Sequence, residues 1–252
     1  MRFVYSVRSR GVRLSLIGAA AILAIASAGC GEAIQNTGED NRFIREPDIK
    51  SEAAATKKVK QGPLLPTKNG GSWRSKVTVR QIRSSSEPSI RYETTVARGL
   101  SPLAGGGGSG QLLETRGEAQ KSSRREVFKV DTHGISLSSI SGEQSLAAIP
   151  PFPIVRYPIQ EGHSIRWNGI LRLADKSYPG QGYSRIRSPE EISLPQGKVT
   201  AYRVDTVLIV NDGGRQVSIP MARWFAPGIG MVRQRFIVGN SDVTKDTISY
   251  KL

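Results

Sequence analysis

Residues 198–250 read KVTAYRVDTVLIVNDGGRQVSIPMARWFAPGIGMVRQRFIVGNSDVTKDTISY. Apolar and polar residues alternate with period two along successive runs, the pattern of strands with one face buried and one face wet. From Lys198 to Val210, Tyr202, Val204, Leu208 and Val210 share one face, and Lys198, Arg203 and Asp205 share the other. Asn211-Asp212-Gly213-Gly214 is a hairpin signal, because these residues tolerate the positive φ that tight hairpin turns demand. Gln216 to Phe225 follows, with Val217, Ile219, Met221 and Phe225 inward. Pro220 cannot donate a ladder hydrogen bond, which predicts an edge strand or a bulge. Ala226-Pro227-Gly228 turns the chain into Met231 to Val238, and Gly239-Asn240-Ser241-Asp242 turns it into Val243 to Tyr250. These connections leave no room for helical crossovers, so the sheet is an antiparallel meander.

The same period extends upstream. His163 to Leu173 sets Ile165, Trp167, Leu171 and Leu173 against Arg166, Asn168 and Arg172. Ser72 to Arg83 sets Trp73, Val77 and Val79 against Arg74, Lys76 and Arg80, and Ser89 to Ala97 sets Ile90, Tyr92, Thr94 and Val96 against Arg91 and Glu93. Weaker strands are expected over Gln111 to Glu118, Arg124 to Val130 and Gly134 to Ile140. Gly142 to Pro153 reads as a loop ending in Pro150-Pro151-Phe152-Pro153, with one short helix around Glu143 to Ala148. The expectation is an all-β domain over residues 72–252. Its nine to ten antiparallel strands form a single curved sheet, which must bury its concave apolar face.

Three segments carry a resemblance: Tyr157-Pro158-Ile159-Gln160-Glu161-Gly162-His163-Ser164-Ile165-Arg166-Trp167, then Leu194-Pro195-Gln196-Gly197-Lys198-Val199-Thr200-Ala201, then Trp224-Phe225-Ala226-Pro227-Gly228-Ile229-Gly230-Met231-Val232. Over its last hundred or so residues the chain resembles a set of bacterial envelope lipoproteins of unknown function. Their domain is similar to the curved half-barrel of the lipoprotein carriers LolA and LolB. Ile165 stands where that set usually has Trp, and Gln196 where it usually has Ala. The resemblance implies a half-barrel and no particular activity.

The N-terminus gives an address. Met1 to Arg13 is basic and acid-free, Leu14 to Ala26 is apolar, and Ser27-Ala28-Gly29 precedes Cys30. That is an export signal over residues 1–29, too short to span a membrane comfortably. Cys30, the chain's one cysteine, falls where a bacterial lipobox has its own. The resemblance implies cleavage before Cys30 and a diacylglyceryl group on its thiol, hence a membrane anchor. Gly31 is not the Asp that retains some lipoproteins at the inner membrane, which favours the outer membrane or cell surface. Residues 30–71 are polar, with one apolar cluster at Pro63-Leu64-Leu65-Pro66, and read as a flexible tether.

Charge and chemistry narrow the function. Lys+Arg number 36 against 21 Asp+Glu, a net charge of +15. Removing Arg2, Arg8, Arg10 and Arg13 with the export signal leaves 15 − 4, or +11. A basic surface favours an anionic partner, such as lipid head groups or an envelope polymer; export makes nucleic acid an unsuitable one. Gly105 to Gly110 matches G-x-G-x-x-G but opens no helix, so it reads as a loop and not as a phosphate cradle. His133 and His163, the two histidines, form no metal-ligand spacing. Ser164 and His163 are strand neighbours that point to opposite faces, so they cannot act as a nucleophile–base pair. The adjacent Glu190 and Glu191 diverge in the same way, and ion pairs to Arg185 or Arg187 are expected. No catalytic centre, metal or cofactor is expected. Trp73, Trp167, Tyr202, Trp224 and Phe225 are the candidates to line a ligand cavity, for a lipid or acyl chain, or else to be core. The expected function is a non-enzymatic, membrane-anchored binding or structural module. An envelope hydrolase with a dispersed site and a scaffold working through a basic face are the alternatives.

Overall fold

The structure is a computed structural model that describes residues 63–65, 69–100, 109–118, 123–142, 145–212, 215–238 and 240–252. Twelve strands follow one another: β1 (Ser72–Gln81), β2 (Ser89–Leu100), β3 (Ser109–Gly117), β4 (Ser123–Asp131), β5 (Gly134–Ser141), β6 (Leu146–Arg156), β7 (Ser164–Leu173), β8 (Lys176–Leu194), β9 (Gly197–Asp212), β10 (Arg215–Ala226), β11 (Gly230–Val238) and β12 (Ser241–Lys251). Each pairs antiparallel with the next, and β1 pairs with β12 from Ser72↔Lys251 to Gln81↔Ser241. The sheet is therefore a closed up-and-down barrel and not the expected half-barrel of nine to ten strands. Closure removes both sheet edges. Nothing in the alternation of β1 or β12 betrays it, because an edge strand and a closing strand have the same period.

The two strands missing from the expectation are β6 and β8. Pro150, Pro151 and Pro153 disguise β6, which was expected to be loop and helix; Leu146, Ala147 and Ala148 are extended, and no helix occurs among the described residues. The prolines do have a cost to the ladder. Pairing of β6 with β7 runs only from Leu146↔Leu173 to Ile149↔Ile170. Beyond it side chains take over: Trp167 Nε1 donates to the Pro150 carbonyl at 3.0 Å, and Ser184 Oγ to the Pro153 carbonyl at 2.8 Å. Strand β8 was hidden by Pro179, Pro189 and its glycines. Those glycines make room in the lumen. A Cβ on Gly182 would lie 2.7 Å from the Phe152 ring, and one on Gly180 3.1 Å from the Trp167 ring. The two rings meet edge to face, centroids 5.7 Å apart.

Pro220 lies in no edge strand, because the barrel has none. It pairs with Val207 on β9, while the β10–β11 ladder starts one residue later, at Met221↔Phe236. Its missing N–H thus falls outside that ladder. Gly228 takes φ of +78° in the β10–β11 turn, as that turn's sequence requires.

The barrel is filled. Phe128, Ile135, Leu137, Phe152, Ile154, Trp167, Leu171, Ile186, Val204, Leu208 and Phe225 belong to one core cluster inside it. Leu64 and Leu65 join this cluster at 0% and 1% exposure. The Gly228 N–H donates to the Pro63 carbonyl at 2.9 Å, and the Leu64 N–H bonds the Tyr157 hydroxyl. Pro63 to Leu65 thereby stops the mouth of the barrel where β1 begins. The flexible tether expected over 30–71 does not reach residue 71: this apolar cluster is core. The export signal, Cys30 and the glycine run 105–108 lie outside the described residues.

Long strands β8 and β9 extend past the cylinder. Residues 197–201 pair with β8 alone. A register shift between Ile186 and Pro189 re-aims the end of β8, so that Ile192 and Leu194 pack with Ala201, Ala222, Trp224, Ala226 and Val232 in a second cluster.

Candidate functional site

Two polar constellations stand apart from the apolar core, one inside the barrel and one outside. The inner one comes from a reversal of faces. The register sets Thr95 beside Trp73, Glu93 beside Ser75 and Arg91 beside Val77, so these β2 residues face inward. Ile90 and Tyr92, expected inward, are 54% and 39% exposed. On β4, Glu126 sits opposite Leu113; on β12, Lys245 sits opposite Val77; on β10, Arg223 sits opposite Gln234.

These charges form a network across the lumen. Lys245 Nζ donates to Thr95 Oγ1 at 3.0 Å and lies 3.3 Å from Glu93 Oε2, while Arg91 Nε donates to Glu93 Oε1 at 3.2 Å. Arg124 Nη2 donates to Glu126 Oε1 at 2.5 Å. Burial opposes the charge of Glu126, but Arg124, Arg223 and Lys245 outweigh it and hold the carboxyl below the usual range. Burial pushes Lys245 down, against the pull of Glu93 and Glu126. Burial likewise lowers Arg223 to about 10, although Glu126 favours its charged form. Lys245 lines a cavity of about 20 Å³ beneath Leu65, and Arg223 lines one of about 10 Å³. Each holds on the order of one water and no acyl chain.

The outer constellation lies on β2, β3 and β4. Glu114 is covered by three arginines: Arg116 Nη2 lies 3.0 Å, Arg98 Nη2 3.7 Å and Arg125 Nη2 3.7 Å from its carboxylate oxygens. The hydrogen bond from Arg116, with the charges of Arg125 and Arg98, holds the Glu114 carboxyl below its ordinary value. The side chains of Arg98, Arg116 and Arg125 are 60%, 67% and 56% exposed. One carboxylate shared by three cations leaves two positive charges facing solvent. Arg74, stacked over Tyr92 at 5.2 Å and paired with Glu118 at 2.8 Å, lies on the neighbouring strand β1, as does exposed Arg80 farther along it. Cations occur on the outer face of other strands too, as Arg166 and Arg172 on β7 and Arg233 and Arg235 on β11. A membrane-spanning barrel needs an outward apolar belt, and this surface has charges where that belt would be.

The aromatic candidates separate. Trp73, Trp167, Tyr202 and Phe225 all belong to the lumenal core. Trp73 Nε1 donates to the Ile229 carbonyl at 2.9 Å. Trp224 faces the other way, in the second cluster, between Arg203 at 5.3 Å and Arg233 at 5.7 Å. Its Nε1 donates to Glu190 Oε2 at 2.9 Å. Glu191 pairs with Lys198 at 2.7 Å. Neither glutamate takes the Arg185 or Arg187 partner that was expected; Arg187 instead pairs with Asp205 at 2.7 Å. Asp131 Oδ1 accepts from the backbone N–H groups of His133 and Gly134, which makes His133 a turn residue. The inner network was missed because charged residues in strands are read as outward-facing. A signal did exist: Glu93 and Glu126 both sit two residues after an arginine on one strand face.

No protein-family model and no curated protein matches this chain. Among solved structures it is similar to a protein of Bacteroides fragilis described as exported and as having a YmcC-like fold, with 13% identity, 76% of this chain and 100% of that one covered, and a TM-score of 0.50. It is also similar to a Parabacteroides distasonis protein described as a lipoprotein, at 9% identity over 77% of this chain and 100% of that one, TM-score 0.43. The hypothetical lipoprotein YmcC of Escherichia coli aligns at 8% identity over 69% of this chain and 83% of that one, TM-score 0.36. The first of these likenesses shows a fold similar to that YmcC-like one.

Proposed function

We propose that the protein is an exported lipoprotein, anchored by Cys30 at the outer membrane or cell surface, whose barrel is a non-enzymatic docking module for an anionic envelope polymer. The observation that carries this reading is the Arg98–Arg116–Arg125 triad around Glu114, on a barrel whose interior its own side chains fill. A cation-rich outer face attracts polyanions over a Debye length, and guanidinium forks suit carboxylate and phosphate groups. A filled lumen leaves an acyl chain no place, which argues against a carrier. The exported protein of like fold supports the address.

The test uses the full chain purified from membranes in detergent. Polygalacturonate should bind it in a salt-dependent way, and neutral dextran should not. Arg98→Gln, Arg116→Gln and Arg125→Gln together should weaken polyanion binding at least tenfold at low salt. Equal binding by wild type and triple variant would overturn the docking face. A stoichiometric co-purified lipid in native mass spectrometry would establish the carrier in its place. Cys30→Ser should abolish membrane fractionation; a variant that stays membrane-bound refutes the anchor.

A further inference from the structure

Among the described residues Arg223 is the largest of the fully buried side chains, at 1% exposure, three residues before the end of β10. A buried guanidinium ordinarily has a carboxylate beside it, with every N–H occupied. This one does not. Its Nη1 lies 3.5 Å from Thr206 Oγ1, a marginal contact, while Nε and Nη2 have no hydrogen-bond partner. Thr206 Oγ1 donates onward to the Met221 carbonyl at 3.3 Å. Among the described residues no carboxylate forms an ion pair with Arg223, because both lumenal carboxylates are engaged elsewhere. Glu126 is bonded to Arg124, and Glu93 is shared by Arg91 and Lys245. Four cations thus meet two carboxylates, an excess of two positive charges, and Arg223 is the cation to which no carboxylate is bonded.

Arg223 and Thr206 line the smaller cavity, whose other walls are apolar: Leu137, Phe152, Leu208, Ile219 and Met221 among them. Such walls repel a divalent or strongly hydrated ion and accept a weakly hydrated monovalent one. The volume admits on the order of one water. A halide is slightly larger, and Met221, an unbranched thioether, is the side chain best able to yield the difference.

We infer that this cavity is a buried site for a single halide-sized anion, chloride in the envelope, held by the Nε and Nη2 groups of Arg223. The ion takes one unit from the excess of lumenal positive charge, at the cation that no carboxylate pairs with. The site is independent of the outer docking face, which it does not touch.

Crystals of the full chain soaked in sodium bromide test it directly. The expected result is an anomalous peak within hydrogen-bonding reach of Arg223 Nε and Nη2; no peak there, with a water in its place, overturns the inference. The melting temperature, measured at constant ionic strength, should rise as chloride replaces gluconate, which is too large to enter. Above the dissociation constant, each tenfold rise in chloride should add a constant increment. Arg223→Met should abolish this dependence and Thr206→Val should keep it, since the threonine supplies no charge. An Arg223→Met protein that melts with the same chloride dependence as wild type refutes the site. If that variant does not fold, the bromide soak of the wild type decides alone.

Discussion

The two halves of the barrel interior are filled by opposite means. Between β5 and β9 the lumen holds Leu137, Phe152, Ile154, Trp167, Leu171, Ile186 and Leu208, with glycines on β7 and β8 leaving room for the rings. Between β10 and β4, across the β12–β1 seam, it holds Arg223, Gln234, Lys245, Ser75, Glu93, Thr95 and Glu126. The apolar half is stabilised by burial and close packing, which are insensitive to pH and salt. The charged half depends on the ion pairs that Glu93 and Glu126 make with the cations around them. A closed cylinder needs interior volume filled, not any particular chemistry, and this chain uses both.

The largest test breaks the apolar half. Trp167→Ala removes a ring packed on Phe152 and the bond to the Pro150 carbonyl, and should cost roughly 3–5 kcal/mol by denaturant unfolding, at any pH. Against it, Glu126→Gln leaves Arg124, Arg223 and Lys245 short of a carboxylate, and should cost about 3 kcal/mol at neutral pH.

Acid separates the two variants. The folded pKa of Glu126 is lowered, so its contribution is complete above the ordinary carboxylate value and is lost as pH falls through the folded one. The deficit of Glu126→Gln against wild type should shrink on acidification, while that of Trp167→Ala persists. Parallel melting curves from pH 7 to 3 would contradict this assignment.

Smaller effects sharpen the picture. Leu65→Ala should cost about 2–3 kcal/mol if the mouth plug is core, and nothing measurable in chemical unfolding if it is tether. Gly182→Ala drives a methyl to 2.7 Å from the Phe152 ring and should cost about 1–2 kcal/mol, with a thermal melt as the readout. Smallest of all should be the stability effect of the Arg98, Arg116 and Arg125 to Gln triple change, since the three arginines are more than half exposed and water takes their place around Glu114. Its effect belongs to polyanion binding, and a large loss of stability would mean that the triad is structural.

Most strands were legible because one of their faces is apolar. Strands β7, β9 and β10 have their expected inward residues, Trp167, Val204 and Met221 among those buried. The same logic misplaced β2, whose lumenal residues are the charged ones. Proline hid β6 and β8, since prolines, and in β8 glycines, interrupt the period-two pattern.

The sequence by itself determined that this protein is all-β, antiparallel and meandering, because period-two alternation and turn chemistry are local. It also determined the net positive charge and the candidate aromatics. Only the tertiary structure decided that β1 meets β12, that Leu64 and Leu65 stop the mouth, that Trp224 faces away from the lumen, and that Arg223 lies buried without a carboxylate. Each of these depends on which distant strands become neighbours. A period of two fixes which residues share a face, but closure decides whether that face looks inward.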